Sequence, residues 1–182
     1  MPSQAEAKTC LASLTYTGPS TAAAVDSSRN GHNSFLSNTI DSAYIPIKLL
    51  GNPNASGNFS LNDSLNEIGS LTQGNTIDFF GSGSLVAWSI WTENQRDIKI
   101  ISNSINGGAG SINSTYGINL FSGIKADIGY NTMTLQTGGT TSPIRGIYCN
   151  MDLGTAITPQ SISIHDNYIQ NCALNLWSAS SF

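Results

Sequence analysis

Apolar residues in this chain recur in short alternating groups and not at the 3.6-residue spacing of an amphipathic helix, which predicts short strands. Only Asn62-Asp63-Ser64-Leu65-Asn66-Glu67-Ile68 reads as a brief helical turn. Three segments share one pattern of apolar, x, Ile, x, x, Asn, x, apolar: 98–105, 126–133 and 162–169. Weaker copies precede them around Asn38 and Asn75. The asparagines fall at 38, 75, 103, 131 and 167, a basic step of 28 residues with insertions in two of the four intervals. A second strand family lies between these segments, at 85–88, 117–121 and 146–149, with 174–177 opening a last, incomplete coil. Turn-forming runs such as Asn106-Gly107-Gly108-Ala109-Gly110 and Thr137-Gly138-Gly139 join the strands.

A unit of this size cannot bury its apolar side alone, whereas stacked copies lay Ile on Ile and pair each strand with the copy above and below. Several short strands with turn signals also suit a β-sandwich; the in-register recurrence of two strand families favours the solenoid. Period-two alternation then points Ile98, Ala126 and Ile162 inward, together with Ile100, Ile128 and Ile164. Lys99, Asp127 and Ser163 stack outside, and His165 also faces out. Ser102, Tyr130 and Asp166 approach the corner. The repeated asparagine is expected to turn that corner itself, since Asn tolerates the left-handed conformation, and to bond its copies along the axis. The expected architecture is all-β: a short right-handed parallel β-helix of about five coils over 30–182, preceded by a 1–29 segment in which Thr15 to Val25 forms a possible cap.

Composition narrows the chemistry. Charged residues make up 10% of the 182 and the formal net charge is -4, with seven scattered basic residues, so nucleic acid is a poor partner. The surface must be built from Asn, Ser, Thr and Gly, which suits sugars or protein partners. The start has no apolar signal region, and no run is long enough to span a bilayer. Three cysteines lack zinc-ligand spacing and read as reduced, buried thiols; only Cys149 and Cys172 are expected to lie near each other.

The Ile-x-Ile-x-x-Asn-x-apolar repeat resembles that of the pectin-lyase-like right-handed parallel β-helices, over roughly residues 30 to 177. That group includes pectate lyases, polysaccharide epimerases and hydrolases, and bacteriophage tailspikes and fibres. The resemblance implies a tailspike or tail-fibre domain that binds a bacterial surface polysaccharide, with or without cleaving it. It also implies a homotrimer contacting other virion tail proteins and assembled in the host cytoplasm. A stand-alone polysaccharide hydrolase or lyase and a purely structural shaft module are the alternatives. The calcium-holding Asp cluster of the lyases has no counterpart on the expected strands, so no metal or cofactor is expected.

Glycoside hydrolysis needs two carboxyl groups flanking the bond to be cut. Glu93, Asp127 and Asp166 are the candidates, Asp127 and Asp166 because neighbouring coils bring them close, Glu93 because it sits beside a longer connection with Asp97 and Asp152. Any of them also reads as a solvated surface acid. Trp91, Tyr130 and His165 are the candidate ligand-binding residues: aromatic faces suit large, partly apolar ligands, and an exposed imidazole carries protons near neutral pH. Trp91 is placed in an insertion, 91–96, while Trp88 and Tyr148 are expected to fill the core or pack between subunits.

Overall fold

The structure, a computed structural model, describes residues 12–15, 30–51, 62–81, 86–139, 143–151, 161–172 and 174–178. Every regular element among them is a strand: β1 (Ala12–Thr15), β2 (Ser34–Phe35), β3 (Thr39–Asp41), β4 (Ile47–Leu50), β5 (Asp63–Ser64), β6 (Glu67–Ile68), β7 (Thr76–Phe80), β8 (Val86–Ile101), β9 (Ser104–Gly107), β10 (Ser114–Gly129), β11 (Thr132–Leu135), β12 (Ile144–Asn150), β13 (Ile162–His165), β14 (Tyr168–Gln170) and β15 (Leu174–Ser178). All pairings are parallel, between strands one coil apart. The chain is a parallel β-helix.

Three sides can be followed through the coils. Side one stacks β1, β4, residues 86–93 of β8, residues 114–121 of β10, β12 and β15. Side two stacks β2, β6, residues 98–101, residues 126–129 and β13. Side three is a separate five-stranded sheet, β3-β7-β9-β11-β14. The sixteen-residue β8 and β10 each run through a corner, where Asn94 and Asp97, and likewise Ser122 and Lys125, take positive φ. About five coils is an approximate count: the described strands make about three turns with partial coils at the ends.

Each side sends apolar residues into the core, side two in two columns, one of them Ile98, Ala126 and Ile162. Ile47, Ile90, Ile118 and Ile147 stack from side one, Ile68, Ile100, Ile128 and Ile164 from side two, and Ile40, Ile77, Ile105, Met133 and Ile169 from side three. Ile68, Ile77, Ile90, Ile100, Ile118 and Ile128 are completely buried. Removing each such side chain from water stabilises the fold by roughly 1.5–3 kcal/mol. Cys149 belongs to this interior and is a free thiol, pushed up to about 11 by burial. The Cys172 Sγ lies 3.0 Å from the Ile144 carbonyl, and Cys10 lies outside the described residues.

The corner between sides two and three carries the asparagine ladder. From Asn38 to Asn75 to Asn103 to Asn131 to Asn167, each backbone N–H and each Nδ2 donates to Oδ1 of the asparagine one coil on, at 2.8–3.1 Å. The second Nδ2 hydrogen goes back one coil, Asn75 to the Phe35 carbonyl, Asn103 to Ile68, Asn131 to Ile100 and Asn167 to Ile128. Amide and carbonyl partners fix which end of each side chain is which. Asn75, Asn103 and Asn131 are buried, and the ladder supplies the bonds their side chains need.

Three expectations change. The asparagine does not itself take the left-handed conformation; the residue before it does, Ser37, Ser102, Tyr130 and Asp166 having φ between 52° and 58°. The asparagine side chain is thereby left free to work along the axis. Residues 62–68 are not a helical turn but β5 and β6 around a corner at Leu65 (φ 59°), because Asn66 caps a second ladder. Asn33 donates from its backbone and side chain to Asn66 Oδ1, and Asn66 Nδ2 donates to Gln95 Oε1 at 2.8 Å. Residues 91–93 are strand, not insertion. Of the 1–29 segment, Ala12–Thr15 pairs with β4 and the remainder, including most of the expected cap, lies outside the described residues.

Replacing Asn103 by Ala strands the Asn75 amide donors and the Ile68 carbonyl inside the stack. Chemical denaturation should register a loss of about 3 kcal/mol or more, and Asn103→Asp should not rescue it, since it returns an acceptor and no donor.

Candidate functional site

The outward column of side two reads Ser34, Glu67, Lys99, Asp127, Ser163 in successive coils, so carboxylate and ammonium alternate along it. Two residues further along the strand, His165 lies on the coil after Gly129. A Cβ at Gly129 would stand 2.5 Å from the His165 Cε1 and 2.7 Å from Nε2. The bare glycine is therefore the seat on which the imidazole lies flat. From it Nε2 reaches diagonally to Asp127 Oδ1 at 3.0 Å, while Nδ1 is 3.0 Å from Asp166 Oδ2.

Tyr130 and Asp166 are the corner residues of two neighbouring coils, both with positive φ, which turns their side chains outward. For a residue as bulky as tyrosine this costs on the order of 1–2 kcal/mol. The Tyr130 ring stands edge-on to the imidazole, 5.2 Å between centroids and 85° between planes. Four of the six sequence-derived candidates, Asp127, Tyr130, His165 and Asp166, thus form one cluster. The hydrogen bonds to Asp166 and then Asp127 raise the His165 pKa, and the hydrogen bond from His165, with that from Tyr130, lowers Asp166. A carboxyl held ionised in this way is poorly suited to donate a proton to a leaving group. A cavity of about 390 Å³ borders the cluster, lined by Ile147, Ile164, His165, Asp166, Asn167, Tyr168 and Ile169.

The other two candidates, Trp91 and Glu93, sit on side one across the corner at 94–97 and do not meet the cluster. Registers stack Trp88, Tyr116 and Arg145 in one outward column, and Lys48, Trp91, Asn119 and Tyr148 in the next. Trp88 and Trp91 lie 4.9 Å apart, Trp88 stacks on Tyr116 at 6.1 Å and 16°, and Tyr148 meets Tyr116 edge-on at 5.4 Å. Lys48 Nζ is 4.3 Å from the Trp91 ring centre, and the Arg145 guanidinium caps Tyr116 at 5.0 Å while donating to its hydroxyl. Trp88 and Tyr148 are therefore outward residues of this row and not core filling. Between the rings lies a groove of about 220 Å³ lined by Trp88, Trp91, Glu93, Tyr116, Asn119, Phe121 and Tyr148, with the Trp91 Nε1–H buried and without a hydrogen-bond acceptor among the described residues.

No family model matches this chain, and neither a curated protein nor a solved structure matches it significantly. The geometry is therefore the ground for a functional reading. Sequence reasoning missed Gly129, Tyr116, Lys48 and Arg145. The 28-residue step from Trp88 to Tyr116 was the available signal for the aromatic row, and the repeat already puts Gly129 in the column of His165, with nothing in the pattern to mark it as a seat. Among the described residues no group of three or more His, Cys, Asp or Glu side chains is arranged to hold a metal ion. Of the other acids considered, Asp97 pairs with Arg96 and Lys125, each at 3.7 Å, and Asp152 lies outside the described residues.

Gly129→Ala should lift the imidazole from its seat and break its contact with Asp127. A histidine-detected NMR titration should then show the His165 midpoint moving down toward that of free imidazole, with the strand pairing intact. Asp166 supplies an acid-side test. Its pKa is lowered in the fold, so its contribution is present above the unfolded carboxyl pKa and is lost as pH falls through the folded value. Denaturation midpoints should decline over that acidic window in the native chain and decline less in Asp166→Asn.

Proposed function

We propose that this β-helix is a carbohydrate-binding domain of the bacteriophage tailspike or tail-fibre kind, holding a bacterial surface polysaccharide along side one. The observation that carries this reading is the row of Trp88, Trp91, Tyr116 and Tyr148, which extends across consecutive coils with a groove between the rings. A polysaccharide is itself a linear repeat, and a solenoid side repeats along one axis to match it. Aromatic edges and faces take the C–H surfaces of sugar rings, while Glu93 and Asn119, which line the groove, offer hydrogen bonds to hydroxyl groups. The low-charge surface of amides and hydroxyls fits the same partner.

Binding is favoured over cleavage. Glu93 faces the groove, but Asp127 and Asp166 stand on the other side of a corner and share one imidazole, so no second carboxyl joins Glu93 among the described residues. The homotrimer and the contacts with other tail proteins belong to this same reading, the trimer giving each groove two neighbouring surfaces.

Titrating purified capsular and lipopolysaccharide glycans while following tryptophan fluorescence tests the reading. One glycan class should bind, and Trp91→Ala and Tyr116→Ala should each weaken it by about tenfold, roughly 1.4 kcal/mol. No reducing ends should appear during incubation; their appearance, abolished in Glu93→Gln, would establish the hydrolase alternative instead. Light scattering should return a mass near three times 19.2 kDa. Failure of every glycan to bind, together with a monomeric mass, would leave the tailspike reading without support.

A further inference from the structure

His165 touches two carboxylates at once. Nε2 is 3.0 Å from Asp127 Oδ1 on one coil and Nδ1 is 3.0 Å from Asp166 Oδ2 on the next. An ionised carboxylate only accepts hydrogen bonds, and a neutral imidazole has one N–H donor and one lone pair. With both acids ionised, the two contacts are satisfied together only by the imidazolium. Loss of its proton leaves a ring lone pair facing a carboxylate oxygen, so one contact must open.

The surroundings reinforce the charged state. Asp127 faces the ring from β10 and Tyr130 from the corner after it, and Asp166 follows it after β13; Tyr168 of β14 lines the same cavity. The cation in register with Asp127 is Lys99, one coil further from the histidine, in β8. At the next corner Lys125 is taken by Asp97 at 3.7 Å. Among the described residues, no other pair of neighbouring coils is joined by a side chain bridging two acids.

We propose that His165 is a proton-operated clasp that fastens the coil of β13 and β14 to the coil of β10 and β11. While the imidazole is charged it ties Asp127 to Asp166 across the coil boundary. When it becomes neutral the tie opens and the outer coil is held by the Asn131–Asn167 rung, the Thr134–Gln170 contact, the backbone ladder and core packing. The Gly129 seat and the Tyr130 backbone, held at φ 58° by the turn, place the ring and its flanking phenol for this purpose. The cavity bordered by His165, Asp166 and Tyr168 lies beside the clasp. The device is independent of side one and stands whether or not a glycan binds there. Its sign is fixed: a histidine whose folded pKa is raised contributes stability below its unfolded pKa, and that contribution is lost as pH rises through the folded value.

Two measurements on the unmodified chain test it. Nitrogen-15 histidine spectra at neutral pH should show both ring nitrogens of His165 protonated, with the signal assigned by its disappearance in His165→Gln. Amide exchange should then be followed through the histidine titration at Tyr130, which donates to the His165 carbonyl, and at Tyr168, which donates to Asn131. Thr132, which donates to Asn103 one coil further in, is the internal reference that removes the intrinsic pH effect. The Tyr130 and Tyr168 rates should rise relative to Thr132 by about two- to five-fold, the range for exposed ion pairs, and His165→Gln should show no such step. A neutral single-tautomer ring at pH 7, or equal relative rates on both sides of the titration, would overturn the clasp.

Discussion

The interaction on which the rest depends is the pairing of each ladder asparagine with its copy one coil on. A β-helix must bend its strands at every corner, and bending removes backbone partners that a straight strand would keep. An unpaired buried amide costs about 1–3 kcal/mol, and the corner recurs in every coil, so the penalty would multiply. Asn75, Asn103 and Asn131 cancel it by accepting two donors through Oδ1 and returning two through Nδ2. Because the side chain must span one coil spacing, the ladder also sets the vertical register of the coils. The isoleucine columns and the outward columns inherit that register.

At four of the five ladder positions the residue before the asparagine gives up ordinary backbone geometry for this arrangement. Ser37 and Ser102 do so cheaply at two of the corners. Tyr130 and Asp166 occupy the same position one and two coils further on, where bulk and charge make it less comfortable. Their outward side chains meet His165, and Gly129 leaves the ring its space. The ionic cluster is thus a by-product of the corner that the ladder stabilises, placed where both neighbouring coils present polar side chains side by side.

The fold was legible because the contacts that stabilise it most recur at a fixed spacing in the sequence. Ile100, Ile128 and Ile164, followed by Asn103, Asn131 and Asn167, keep their order through every clear copy. Side assignments for Asp127 and His165 followed from alternation alone. The second ladder was not legible: its steps of 33 and 29 residues differ and its third member is Gln95, so no identical letter recurs. Residues 62–68 consequently looked helical. Trp91 was misplaced for a related reason. Its segment runs through a corner at Asn94 while remaining paired to β10, and single-chain patterning cannot separate a paired corner from a loop. Gly129 and His165 share a register position that the superposed repeats imply, but the ring's diagonal reach from that seat to Asp127 is a side-chain contact that no strand-by-strand pattern encodes.

The location of the extra residues argues for side one as the working surface. The 37- and 36-residue steps depart from the basic 28 mainly between sides one and two, after Leu50 and after Asn150. In the two regular coils between them, that same corner is closed tightly at 94–97 and 122–125. Leu50, Glu93, Phe121 and Asn150 form the last outward column before it, and Glu93 and Phe121 line one edge of the aromatic groove. A solenoid that needed only to fold would gain nothing from lengthening two coils at one corner. With that length after Leu50 and Asn150, the Asn ladder and the sheet of side three continue from coil to coil, and the register that stacks Trp88 on Tyr116 is kept.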